Sequence, residues 1–351
     1  MAPRERLFGI ALTPRTQRRI QNFSANRRAF ISLYIFLTLF VISLFAELIS
    51  NDKPLIIRFD NRFYFPIFKT YTEVDFGGEI ELAIDYHDPY IIEHIKGEGG
   101  WMIWPIIPYK FNTVDFFLEE PAPSTPSVQH WLGTDDGAHD VVALVIYGFR
   151  ISVLFGIVLT IFSTVIGVAA GAVQGYFGGR VEIIFQRFIE MWVSIPLLYL
   201  IIIIASVIKP SFWILLIVLL LFQWTSLVGV VRAEFLRVRN FEFVKAARAL
   251  GVKDGVIMFR HILPNAMVAT LTFLPFILNG SIVSLSALDF LGFGLPPGSP
   301  SLGKLLAQGK ANLHAPWLGI TSFVVLSVML SLLIFIGEGV RDAFDPKKEL
   351  A

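Results

Sequence analysis

Six stretches of this chain, 29–49, 151–173, 188–208, 211–231, 266–288 and 317–337, are almost free of charge and consist mainly of Leu, Ile, Val, Phe and Ala. A helix rises 1.5 Å per residue, so about 20 apolar residues cross the ~30 Å hydrocarbon core of a bilayer. Six runs of that length predict an all-α membrane protein with six transmembrane helices. Glu47 is the single charge in the first run, and the third has Glu190 near its start and Pro196 inside. The alternative, six buried helices of a soluble core, is disfavoured by composition. Charged residues are 16% of the chain, against about 25% in soluble domains.

Orientation follows from Lys and Arg near the spans, which are retained on the cytoplasmic side. Segment 1–28 carries Arg4, Arg6, Arg15, Arg18, Arg19, Arg27 and Arg28, with Glu5 its one acid. It is therefore expected inside, ahead of the first span at 29–49. A nucleic-acid arm is the other reading of such a run, and its adjacency to a span decides against it. The run that follows is longer than a cleaved signal's apolar core of about 7 to 15 residues. Residues 50–150 are then outside, where acids outnumber bases more than twofold. The loop 232–265 is inside with Arg232, Arg237, Arg239, Lys245, Arg248, Lys253 and Arg260, and so is the tail 338–351 with Arg341, Lys347 and Lys348. The remaining spans make a core from 151 to 337.

The outer segment 50–150 is too long for a simple connection, so it is expected to carry structure of its own. Its aromatics, among them Tyr64, Phe65, Tyr71, Phe76, Tyr86, Tyr90, Trp101 and Trp104, are interleaved with acids, and Pro105, Pro108, Pro121, Pro123 and Pro126 interrupt any long helix. A small, irregular α/β cap between the first two helices follows. Its aromatics either fill the cap's core, sit at the lipid interface, or form a surface for a cationic ligand or protein.

The absence of cysteine excludes disulfide frameworks, zinc–thiolate sites and thiol nucleophiles together. Mechanism therefore has to be sought in other patterns, and the densest is Phe243-Val244-Lys245-Ala246-Ala247-Arg248-Ala249-Leu250-Gly251, followed by His261-Ile262-Leu263-Pro264-Asn265. Asn240 is expected to cap a short helix with Glu242 in its first turn. Ala246, Ala247 and Leu250 are expected to share an apolar face, Gly251 to end the helix, and Pro264 to start a new direction. Small residues on such a helix admit the groove of another protein. Within the second span Gly167, Gly171 and Gly175 recur every four residues, a face for close helix packing, within the chain or against a sister subunit. Pro196, Pro275 and Asn279-Gly280 are places where helices either flex or are statically kinked.

The 243–264 stretch resembles the EAA loop of ABC-importer permeases, with Ala-Ala, three residues, Gly, then Leu-Pro. Lys245 stands where that family most often has Glu, and His261 where it has Ile. Two further stretches resemble the dipeptide and oligopeptide branch: His130-Trp131-Leu132-Gly133-Thr134-Asp135 with Asp140 and Tyr147-Gly148-Phe149-Arg150-Ile151-Ser152, and Leu288-Asp289-Phe290-Leu291-Gly292-Phe293-Gly294 with Ala315-Pro316-Trp317 and Arg341-Asp342-Ala343-Phe344-Asp345-Pro346. The cap, opening with Asn51-Asp52-Lys53-Pro54-Leu55, is similar to that of the second permease of microcin C and oligopeptide importers.

The resemblance implies a type I importer permease fold. Phe243, Val244, Lys245, Ala246, Ala247, Arg248, Leu250, Gly251, His261, Leu263 and Pro264 would form a coupling helix and loop that dock on an ATPase subunit. It further implies a homologous second permease, two ATP-binding domains, an external solute-binding protein and a peptide substrate. ATP and magnesium would be bound by partner subunits and no cofactor by this chain; no catalytic or metal-binding residue is implied, no nucleic acid, and no substrate residue is assigned. Location in a bacterial inner membrane, both termini cytoplasmic, goes with this.

Other patterns do not complete a site. Gly298 to Lys304 matches the start of a phosphate-binding loop, but Leu305 replaces the required Ser or Thr. Asp135, Asp136, His139 and Asp140 follow no metal-ligand spacing, and a turn with a helix cap is expected there. The rival reading is a carrier or channel without ATPase partners. The scarcity of acids within the spans speaks against a proton relay.

Overall fold

Hydropathy fixes where this chain is helical, and a few capping side chains fix where each helix begins. In a computed structural model, residues 6–7, 10–11, 14–77 and 81–344 are described. Arg4, Glu5, Asp345, Pro346, Lys347 and Lys348 lie outside them. Helices α1 (Pro14–Ala25) and α2 (Arg27–Leu44) meet at Asn26, whose side chain accepts from the Ala29 amide at 3.3 Å and so caps α2. One more turn, Ala46–Ile49, completes the first apolar run.

The cap is the small mixed structure expected. Strands β1 (Ile56–Phe59), β2 (Arg62–Tyr64) and β3 (Trp101–Ile103) form an antiparallel sheet in the order β2-β1-β3, with Arg58 opposite both Phe63 and Trp101. Helix α3 (Pro89–Gly97) is capped by Asp88, which accepts from the Tyr90 amide at 2.8 Å. Ile57, Phe59, Tyr71, Phe76, Tyr86 and Ile95 fill the cap's core. Of the alternatives for the aromatics, Tyr71, Phe76 and Tyr86 thus take the interior, while Phe65, Tyr90 and Trp101 stay exposed. Chain enters and leaves the cap through one narrow neck. The Asn51 amide donates to the Ile107 carbonyl at 3.1 Å, and the Ile107 amide to the Ile49 carbonyl at 2.9 Å.

Helix α4 (Val141–Phe177) begins ten residues before the apolar run, because Asp140 caps it by accepting from the Ala143 amide at 2.8 Å. Arg150, just ahead of the apolar run, lies within the helix. It donates to both carboxylate oxygens of Glu47 at 2.9 Å and lies over the Tyr147 ring at 4.7 Å. The third run is not one straight helix. Helices α5 (Gly179–Val193) and α6 (Leu197–Val207) are bent by 63° about the break before Pro196. Proline lacks the N–H that a continuous helix needs at that point.

Helices α7 (Phe212–Gln223) and α8 (Thr225–Val238) form the fourth run, and α9 (Glu242–Ala249) is the short helix of the 232–265 loop. A turn at Asp254–Val256 and a π-helical turn at Ile257–Ile262 lead into α10 (Leu263–Phe290). Helix α11 (Leu302–Ala311) is capped by Ser301, and α12 (Pro316–Ala343) is last. Five described helical stretches are long and apolar enough to cross a membrane, and the bent α5–α6 pair makes a sixth if counted as one span.

Helix α4 packs along α8 and α10, and α2 along α12. One buried cluster joins Phe36, Phe149, Ile282, Met329 and Leu333 across α2, α4, α10 and α12. A second joins Phe155, Leu159, Leu215, Leu219 and Leu285. Asn279 donates to the Leu330 carbonyl at 2.9 Å, a polar tie between α10 and α12.

Candidate docking surface

Helix α9 is short, so its position depends on what lies beneath it rather than on propensity. Val244 and Ala247, one turn apart, are both buried, Val244 completely. They sit in a cluster with Ala172, Phe235, Val238, Ile257 and Ile262, supplied by α4, α8 and the π-helical turn. Phe243, Ala246 and Leu250 recur on a neighbouring face and are exposed, Leu250 by 83%. The expected apolar face is therefore two faces. Ala247 belongs to the anchored one, Ala246 and Leu250 to the free one, a distinction of about 100° around the helix that composition alone does not make.

The helix ends as expected. Gly251 has φ +75°, and the amides of Gly251 and Val252 donate to the carbonyls of Arg248 and Ala247 at 3.0 and 3.1 Å. This paired closure requires a left-handed residue, and glycine adopts it without strain. The start differs. Asn240 does not cap α9: its amide donates to the Leu236 carbonyl at 3.0 Å, closing α8, and Phe241 stands at the cap position without a side-chain bond. Lys245 extends into solvent and pairs with Glu242 at 3.0 Å, a contact too exposed to contribute much.

His261, Leu263 and Pro264 lie on the far side of the turn. His261 is half-buried in the π-helical turn, where Ile257 and Ile262 face inward, and Pro264 is exposed in the first turn of α10, where its missing N–H costs nothing. Residues 243–264 therefore form one anchored surface rather than a loose loop.

Two features tie that surface to α4. Gly167, Gly171 and Gly175 face α8 of the same chain. A Cβ at Gly171 would stand 2.7 Å from Val231 Cβ and 2.8 Å from the Val228 carbonyl oxygen, and one at Gly175 would stand 2.5 Å from Phe235 Cβ. The four-residue spacing thus serves packing inside the chain. The second feature was not legible in the motif. Arg239 Nη1 donates to the carbonyls of Gly175 and Tyr176 at 3.2 Å, the Tyr176 hydroxyl donates to Asp254, and the Arg248 guanidinium lies 5.4 Å from the Tyr176 ring centre. A tyrosine at the end of an apolar run, followed by Phe177-Gly178, was the available signal.

At the opposite end of α4, residues 109–140 make a compact polar knot. His130, buried, bonds Asp140 through Nδ1 at 2.9 Å and Asp115 through Nε2 at 3.1 Å, and the Tyr109 hydroxyl donates to Asp115 at 3.2 Å. Burial opposes charge on His130, but the bonds and charge of Asp140 and Asp115 outweigh it and raise its pKa above the ordinary histidine value. Asp115 is half-buried, which by itself raises its pKa, yet the Phe117 amide, His130 and Tyr109 hold it below the usual value. Asp135 accepts from the Gly137 and His139 amides at 2.8 and 2.9 Å and from His139 Nδ1 at 2.9 Å, the turn expected there. At Gly298 to Lys304 the chain serves as the lead-in to α11, with Ser301 donating to Asp289 at 2.5 Å.

Comparison with known proteins identifies what kind of chain presents such a surface. The family described as the binding-protein-dependent transport system inner membrane component matches residues 163–350. The chain belongs to this family. The inner membrane ABC transporter permease protein YejE of Escherichia coli (strain K12) is 58% identical over 337 residues, 96% of this chain and 98% of that protein. The peptidoglycan transport system permease protein YejE of Agrobacterium fabrum is 54% identical over 360 residues, covering 96% and 94%. The oligopeptide transport system permease protein OppC of Haemophilus influenzae is 34% identical over 241 residues, covering 68% and 77%. As an inner-membrane transport component of this family, the chain is a multi-pass membrane protein, in agreement with its apolar helices.

Proposed function

We propose that this chain is the transmembrane permease subunit of an ATP-driven importer for peptides or peptide-like compounds, and that α9 is where an ATPase subunit docks. The observation that carries this reading is the pairing of an anchored face, Val244 and Ala247, with a free apolar face, Phe243, Ala246 and Leu250. A solvent-facing apolar stripe on a helix held this firmly is suited to a partner's groove. The docking end faces the cytoplasm, since Arg27, Arg28, Arg237 and Arg341 lie at that end of the helices. ATP and magnesium belong to the partner subunits, and this chain itself makes and breaks no covalent bond.

A second permease completes the path, and an external solute-binding protein delivers the substrate, in keeping with the family's description as binding-protein-dependent. The substrate shares a peptide portion, whether a free oligopeptide, a peptide antibiotic of the microcin C kind, or a peptide released from peptidoglycan.

Gentle extraction and reconstitution test this. The wild-type chain is expected to bring ATPase subunits with it. Ala246→Asp with Leu250→Asp, on the free face, is expected to lose them and to abolish uptake while the chain still inserts. Uptake that survives the double substitution would establish the rival, a carrier or channel without ATPase partners. Competition for uptake among free oligopeptides, microcin C and peptidoglycan-derived peptides then separates the substrate classes.

A further inference from the structure

We infer that Tyr176 is a positioning residue that fastens the docking helix to α4, so that force received at α9 passes into α4. The inference rests on the docking reading above. Tyr176 is the second-last residue of α4 and is buried. Its ring lies under Arg248, inside α9, and its hydroxyl is held by Asp254, just beyond α9. One side chain therefore touches the chain on both sides of the Gly251 turn. Arg239, just ahead of α9, grips the Gly175 and Tyr176 carbonyls. The end of α4 is thus held from residues before, within and after the docking helix.

These contacts are not needed merely to finish α4. Arg239 already satisfies two of its terminal carbonyls with a cation, the charge that a helix C-terminus favours. The anchor residues Val244 and Ala247 share a buried apolar cluster with Ala172 and Tyr176 of α4, with α8 and with the π-helical turn, a seat without direction of its own. Tyr176 is a side chain of α4 that reaches polar groups of the docking segment directly. Its cation–π and hydroxyl contacts are directional, so they transmit displacement as well as bury area. A helix that can roll on a greasy seat becomes one that carries α4 with it.

The experiment measures ATP hydrolysis and labelled-peptide uptake together in the intact importer, reconstituted in phospholipid vesicles. Tyr176→Ala is expected to retain the ATPase subunits and continue hydrolysis, while uptake per ATP falls about tenfold. Tyr176→Phe keeps the ring under Arg248 and loses the bond to Asp254, and is expected to fall between that variant and the wild type. Uptake per ATP equal to wild type in Tyr176→Ala overturns the inference, as does loss of the ATPase subunits from it, which would make Tyr176 a structural support only. Should Tyr176→Ala fail to fold and insert, Asp254→Ala, at an exposed residue outside the docking set, removes the acceptor of its hydroxyl and is read by the same ratio. A wild-type importer without ATPase subunits instead fails the docking reading, and this inference falls with it.

Discussion

His130 shows how much one side chain can hold in place. Its two ring nitrogens bond Asp115 and Asp140, the tilted Tyr109 ring packs on it with ring centres 4.4 Å apart, and Asp140 in turn caps α4. Because its folded pKa is raised, the stabilisation is complete below the unfolded histidine value of about 6.5 and is lost as pH rises through the raised value. Asp115, with its pKa lowered, adds stability above the ordinary aspartate value that is lost only in acid. In the purified protein, protease cleavage within 111–139 is expected to accelerate as pH rises above neutral. His130→Asn is expected to be cut faster at pH values near 6 and to show a flatter profile. An identical pH profile in the two proteins would mean that His130 does not carry the charge assigned to it.

At the scale of elements, the pairing of α4 with α8 is set by absence of side chains. Gly167, Gly171 and Gly175 leave a groove that Leu227, Val231 and Phe235 fill. Gly171→Ala puts a methyl group into backbone and Val231 at once, an overpacking expected to cost about 1–3 kcal/mol, read as a lower unfolding midpoint of the detergent-purified chain. Gly229→Ala on α8, where a Cβ meets nothing within 4 Å, is the control expected to be neutral or better. That face was visible in the sequence as a four-residue repeat, but its partner was not, because spacing reports a face and never what covers it. The spans were legible for the opposite reason: hydropathy acts over a whole helix and tolerates local error. Helix ends were read less well. Arg150 looked like a boundary until Glu47, about a hundred residues away in sequence, supplied its counter-charge. Asn240 looked like a cap, and serves the previous helix. Ala246 and Ala247 are chemically the same residue, so only the packed neighbours of Ala247 tell the anchor from the free face. The Tyr176 contacts depend on residues far apart in the chain, so the local signal, a tyrosine closing an apolar run, named no partner for it.

For the whole molecule, the cap joins the helical core covalently at the Asn51–Ile107 neck and also rests on it, His87 stacking on Tyr109 with ring centres 5.4 Å apart. Replacing 52–106 by a short Gly/Ser linker preserves the neck. The shortened chain is expected to insert and to bring down ATPase subunits, as is expected of the full one, while uptake shows whether the cap serves delivery. Loss of membrane insertion would show instead that the cap is needed for folding. The core also contains a straight-through helix longer than a bilayer is thick. Val141–Phe177 is 37 residues with no proline, hence about 56 Å long at 1.5 Å per residue, well beyond the ~30 Å hydrocarbon layer. One end is seated in the His130 knot and the other carries Tyr176. A rod of that length is a lever: each degree of tilt about one end displaces the other by about 1 Å, the width of a hydrogen bond's tolerance. Under the docking proposed for α9, small rotations at that end reach the far side of the bilayer as movements large enough to break or make polar contacts.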